Sequence, residues 1–219
     1  MARILIVSTS ADDMNGHKTG LWFEEFAAPY NLFKDAGHDV TVTSIKGGDV
    51  PIDKASIVKE ILPKFQDARR ALHDTKALSE VDPSSFDAVY FPGGHGAVVD
   101  FPNNPQVAGA IEAVIKKDGV VASVCHGPAA FAHVMIDGKP FVSGRQINGF
   151  TDEEEKSTGL EDKVPFLLET TLRGEGATFL TSDAGKEFAV IDGNVVTGQN
   201  PASSEAVAKL VLAKLATQA

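Results

Sequence analysis

The sequence predicts an α/β protein with a doubly wound, mainly parallel sheet sandwiched by helices. Two observations carry this expectation. Short apolar runs alternate with longer segments of helical spacing in the order βαβαβαβα. Glycines or glycine pairs close several of these segments, at Gly37, Gly93-Gly94 and Gly119.

Each element has its own signal. RILIVS (3–8) reads as the first strand, followed by a polar loop and a helix over about residues 20–36. Gly37 is placed to end that helix with a left-handed residue. HDVTVTSI (38–45) alternates like a strand, and KGGDVPID is a loop. Residues 56–72 have helical spacing, divided or kinked by Pro63. DAVYF (87–91) is a third strand, ending in PGGHG. A helix over 105–118, closed by Gly119, leads into the strand VVASV (120–124), and Gly127-Pro128 starts the next helix. TDEEEKSTGLEDK (151–163) reads as a short exposed helix and loop, and VPFLLETTLRGEG (164–176) as a helix stopped by glycine. ATFLTS is a strand, FAVI and NVVT form a hairpin with Asp192-Gly193 suiting a type I′ turn, and SEAVAKLVLAKLA (204–216) closes the chain as an amphipathic helix. With no repeat, low-complexity segment or linker, residues 1–219 read as one domain.

Composition excludes several functional classes. The apolar fraction is 43%, and a mean hydropathy near zero fits a globular protein. Twenty basic residues stand against 30 acidic ones, and no basic cluster exceeds two adjacent residues. Phosphate-backbone binding needs a concentrated basic face, so no nucleic-acid partner is expected. The only apolar stretch at the N-terminus, Ile4 to Val7, is too short for a signal-peptide core or a membrane span, so no membrane is expected either. A single cysteine excludes an intramolecular disulfide framework and a cysteine-rich zinc site, which suits a cytoplasmic protein. No metal is expected, and the glycine-rich turns match no nucleotide-binding pattern.

That cysteine, Cys125, lies where the strand VVASV hands over to Gly127-Pro128. Open α/β sheets place ligands at the carboxyl ends of their strands, and a following helix N-terminus would favour a thiolate. An inert, buried small side chain is the competing reading. His126 is adjacent, although neighbouring side chains need not face each other. Class I glutamine amidotransferases draw their base from a histidine near the C-terminus; no histidine follows His133, so glutaminase chemistry is disfavoured. Helical spacing places Glu25 on one face with Leu21, Trp22, Ala28, Pro29 and Leu32, whereas Glu24 falls with Asn31 and Asp35. A glutamate on an apolar stripe would have a raised pKa and hold its proton; a solvated Glu25 is the alternative. Gly93 and Gly94 end a strand next to the cysteine strand, where backbone N–H groups could form an oxyanion hole.

Together the segments TGLWFEEFAAPY, KGGDVPIDKAS, FDAVYFPGGHG, VCHGPAAF, GFTDEEE, VPFLLE and VVTGQNPASS resemble the DJ-1/PfpI superfamily, in particular its Hsp31-like branch of glutathione-independent glyoxalases. The resemblance implies a flavodoxin-like α/β sandwich with Cys125 as an elbow nucleophile beside His126, and it selects Glu25 as the buried glutamate near the sulfur. It puts the acidic partner of the histidine at Glu155, with Glu154 in its place if the loop shifts by one; at least two glutamates of the run are expected to be solvated. The implied reaction converts a small 2-oxoaldehyde, methylglyoxal or glyoxal, and water to lactate or glycolate without any cofactor. The branch implies a homodimer. Its stress-chaperone, deglycase and cysteine-based oxidative-sensor activities are the alternatives.

Overall fold

A computed structural model describes residues 1–218. Its centre is a seven-stranded sheet, with strands β1 (Arg3–Ser8), β2 (Asp39–Ser44), β3 (Lys76–Ala77), β4 (Ala88–Phe91), β5 (Val120–Val124), β6 (Ala189–Asp192) and β7 (Val195–Gly198). The spatial order is β6-β7-β5-β4-β1-β2-β3, and only the β6–β7 pair is antiparallel. The chain leaves β1 for β2 on one side, then crosses to β4 on the other. The switch point therefore lies between β1 and β4, and the loops above it gather at the carboxyl edge.

The strands are apolar on both faces because helices cover both. Ile4 and Ile6 of β1, with Tyr90 of β4 and Ala122 of β5, pack towards α1 (Phe23–Asp35) and α7 (Ser204–Gln218). Leu5 and Val7 point the other way, with Val89, Phe91 and Val121, into a core shared with α4 (Pro105–Ile115) and α6 (Leu168–Gly174). This is the period-two alternation of a sheet buried on both sides. Two short helices, α2 (Gln66–Arg70) and α3 (Ala97–Asp100), and α5 (Asp152–Thr158) complete the set.

Four local expectations need correction. The 56–72 segment is helical only at Gln66–Arg70, after a 3-10 turn at Leu62–Phe65; Pro63 supplies no N–H to continue a longer helix. The helix expected over 105–118 stops at Ile115; Gly119 does close it, its N–H donating to the Val114 carbonyl at 2.9 Å, after Asp118 has turned the chain at φ 61°. The β6–β7 hairpin turns through Gly193-Asn194, because Asp192 pairs with Val195. Of these two only Gly193 has positive φ, the mark of a type II′ turn rather than type I′. The ATFLTS strand is just Thr178–Phe179, paired with Gln146–Ile147 outside the main sheet.

Candidate active site

β5 delivers Cys125 to the carboxyl edge of the sheet in a constrained conformation. Its φ is 59°, a left-handed value unusual for a residue with a Cβ. Two hydrogen bonds clamp its backbone: its N–H donates to the Gly198 carbonyl at 2.9 Å, and its carbonyl accepts from Phe150 N–H at 2.8 Å. The chain then turns so tightly that a Cβ at Gly127 would lie 2.2 Å from the Phe91 carbonyl oxygen, so only glycine fits. Strain of about 1–3 kcal/mol at such a position persists only where the surroundings enforce it. The turn continues into a single 3-10 segment, Gly127–Phe131, and not the expected α-helix. Its dipole is correspondingly small, and the thiol is not held low: burial first, then the neighbouring Glu25 carboxylate, pushes Cys125 well above its ordinary value.

His126 does face the sulfur, with Nδ1 at 3.5 Å from Cys125 Sγ. On its far side Nε2 lies 2.5 Å from Glu155 Oε2. Burial, followed by the neighbouring His95, lowers the His126 pKa to about 4. Glu155 is held well below the usual carboxylate range by its two histidine partners, which overcome its desolvation. An ionised Glu155 accepting the Nε2–H of a neutral His126 leaves the Nδ1 lone pair directed at Cys125.

Both Glu154 and Glu155 are buried, so the acidic run is less solvated than expected and only Glu153 is exposed. The two have separate tasks. Glu154 closes a capping box with Thr151 at the start of α5. Its Oε1 also accepts from Gly185 N–H at 2.8 Å, Asn200 Nδ2 at 2.9 Å and Gln199 Nε2 at 3.2 Å. Glu155, one position on, faces the histidines.

Glu25 is fully buried near the start of α1, while Glu24 is exposed. Burial raises the Glu25 pKa to about 8, so it carries its proton at neutral pH. Oε2 accepts from Gly93 N–H at 2.6 Å. Oε1 has no oxygen or nitrogen partner, and the carboxyl lies against the Cys125 thiol. Gly93 N–H is thus already engaged and cannot serve an oxyanion, which corrects half of the expected glycine pair. The Gly93 α-carbon nevertheless makes room: a Cβ there would lie 2.7 Å from both Glu25 Oε2 and His126 N. Gly94, at φ 94°, is pressed against the Gly20 carbonyl and Trp22 N, where a Cβ would approach to 2.3 and 2.4 Å. Among the described residues the Gly94 N–H has no protein acceptor, and the His126 N–H is directed at the sulfur.

Two neighbours escaped the sequence reading. His95, in PGGHG, contacts Glu155 Oε1 through Nε2 at 2.6 Å and lies over the His126 ring with centroids 4.1 Å apart. Phe150 covers His126 from another side at 4.4 Å. A histidine inside a glycine-rich strand end was the available signal for His95; nothing in the spacing marks Phe150.

An α/β sheet presenting a cysteine on a strained strand-to-turn elbow, served by a histidine–carboxylate pair and a second buried carboxyl, defines a class of cysteine-centred site. The chain belongs to the DJ-1/PfpI family, whose pattern matches residues 23–214. It is 32% identical to Glyoxalase 3 of Candida albicans, over 97% of this chain and 98% of that one. It is 30% identical to the glutathione-independent glyoxalase HSP31 of Saccharomyces cerevisiae, over 94% of each. The crystal structure of glyoxalase III from Candida albicans superposes with a TM-score of 0.89 at 31% identity, covering 97% of both chains.

Proposed function

We propose that the protein is a glutathione-independent glyoxalase of the glyoxalase III type, converting methylglyoxal or glyoxal and water to lactate or glycolate. The observation that carries this is the chain of contacts from the Glu155 carboxylate through the His126 ring to the Cys125 sulfur, with the protonated Glu25 carboxyl against the same sulfur. The near-complete likeness to named glyoxalases supports the same reading.

The protonation states dictate the steps. Cys125 Sγ adds to the aldehyde carbon, C1, and its proton passes to the aldehyde oxygen, giving a hemithioacetal. His126 Nδ1 removes the hydrogen on C1 as a proton while Glu25 protonates the oxygen on C2, forming an enediol. Return of a proton to C2 and loss of one from the C1 hydroxyl, back to Glu25, yields a thioester. The free amide of Gly94 and that of His126 are the donors for the oxygen charge that develops. Water cleaves the thioester, releasing the hydroxy acid and restoring the thiol. Carbon C1 is oxidised and C2 reduced within one molecule, so the reaction balances without an external redox partner.

Purified protein incubated with methylglyoxal and no glutathione should form lactate. Turnover no higher than that of Cys125→Ser would sink the proposal. The reading also takes residues 1–219 as one domain acting in the cytoplasm as a homodimer; light scattering on the purified chain, giving twice the chain mass, tests the dimer. Among the described residues no helix is long and apolar enough to cross a membrane.

A further inference from the structure

Behind the sulfur, three buried donors converge from separate parts of the fold. His95 arrives from the turn after β4, His126 from the elbow after β5 and Glu155 from the first turn of α5. Their side chains are 8%, 2% and 5% exposed. One ligand atom from each lies within 4.8 Å of the other two. The two Nε2 atoms stand 2.6 and 2.5 Å from the two carboxylate oxygens.

Two imidazoles and a carboxylate suit a divalent transition ion that prefers nitrogen and oxygen ligands. Zinc bound at about 2.0–2.2 Å from each donor needs those donors roughly 3.3 Å apart. Each present N···O contact then has to open by less than about 1 Å. The ring protons do not have to leave the histidines; each has to move from Nε2 to Nδ1. We propose that His95, His126 and Glu155 form a site for a divalent transition ion such as Zn2+, and that its occupation switches the enzyme off.

The inhibition arises from the two ends of one ring. An ion on His126 Nε2 forces the proton onto Nδ1, the atom that faces Cys125 Sγ. The lone pair that would take the C1 proton is then gone, while the sulfur, on the opposite side of the ring, remains uncoordinated. The inhibitory half rests on the glyoxalase reading; the binding half does not.

The test uses the full chain, freed of metal by chelation and dialysis, with Co2+ as the spectroscopic probe and Zn2+ as competitor. One Co2+ per chain should give visible d–d bands without a near-ultraviolet sulfur-to-cobalt charge-transfer band. The spectrum should persist in Cys125→Ser and weaken more than about tenfold in affinity in His95→Gln and Glu155→Gln. Zn2+ should abolish lactate formation over the range in which it displaces Co2+, and a chelator should restore it. The two ligand variants are read only if their circular dichroism matches the wild type; otherwise the wild-type and Cys125→Ser spectra decide. A charge-transfer band lost in Cys125→Ser puts the ion on sulfur and overturns the proposal. So does binding that survives both ligand substitutions, absence of stoichiometric Co2+ binding, or full activity with Zn2+ bound. A chain that binds Co2+ as described yet forms no lactate keeps the site and loses the glyoxalase reading.

Discussion

At the scale of single residues, the protonation states of Glu25 and His126 set the working range of the site. His126 must be neutral to accept a proton, which holds above its pKa of about 4. Glu25 must be protonated to donate, which holds below about 8. The expected kcat/KM profile is therefore a plateau with an acid limb near pH 4 and an alkaline limb near pH 8. Glu25→Gln removes the alkaline limb along with the carboxyl proton, and should lower kcat by about 10²–10⁴-fold. An alkaline limb unchanged in that variant would assign it to another group. The enediol step makes a second measurable claim: in D2O the lactate should carry deuterium at C2, because the C1 proton passes through exchangeable groups. Lactate without deuterium would indicate direct hydride transfer. Elbow sequence and helix spacing marked Cys125, His126 and Glu25 as candidates, and the family resemblance chose between their competing readings. Choosing Glu155 over Glu154 required the phase of a seven-residue helix, which three consecutive glutamates conceal.

At the scale of elements, α5 is anchored by Glu154 so that Glu155 can reach the histidines. Its carboxylate gathers donors from Thr151, Gly185, Gln199 and Asn200, tying the start of α5 to the loop before β6 and to the segment after β7. Glu154→Ala leaves several buried donors unpaired and should cost roughly 2–4 kcal/mol in denaturant unfolding. Thr151→Ala loses only the cap and should cost about 1 kcal/mol. Equal losses would mean that Glu154 serves α5 alone. The elbow is less tolerant still: Gly127→Ala sets a Cβ against the Phe91 carbonyl and should prevent accumulation of folded protein. The strands around this region were legible because both faces are buried and their apolar runs are continuous. The 56–72 segment and the turn after Cys125 were not. Helical spacing pointed to the first, where Pro63 limits the helix; Gly127-Pro128 pointed to the second, where the chain passes close to β4 and forms only a 3-10 turn.

At the scale of the whole molecule, the active site imposes a pH dependence on folding. Glu25 moves from an ordinary 4.5 to about 8, so between those values the folded chain binds more protons than the unfolded one. Its contribution is fully present below pH 4.5 and is lost as pH rises through 8. His126 moves the opposite way, from 6.5 to about 4, and its contribution is gained as pH rises over that interval. Between about 4.5 and 6.5 the two slopes oppose each other. Asp100, raised to about 6 by burial, adds a decline only below that value. From pH 6.5 to 8 Glu25 acts unopposed. Stability should therefore fall across that window by about 2 kcal/mol, at roughly 1.36 kcal/mol for each pH unit. Urea unfolding of Glu25→Gln should show a flat line from pH 6.5 to 8, converging towards or crossing the wild type at the alkaline end. A decline of the same size in both proteins would show that the buried carboxyl is not its source. The active site would then have to be described with Glu25 ionised at neutral pH.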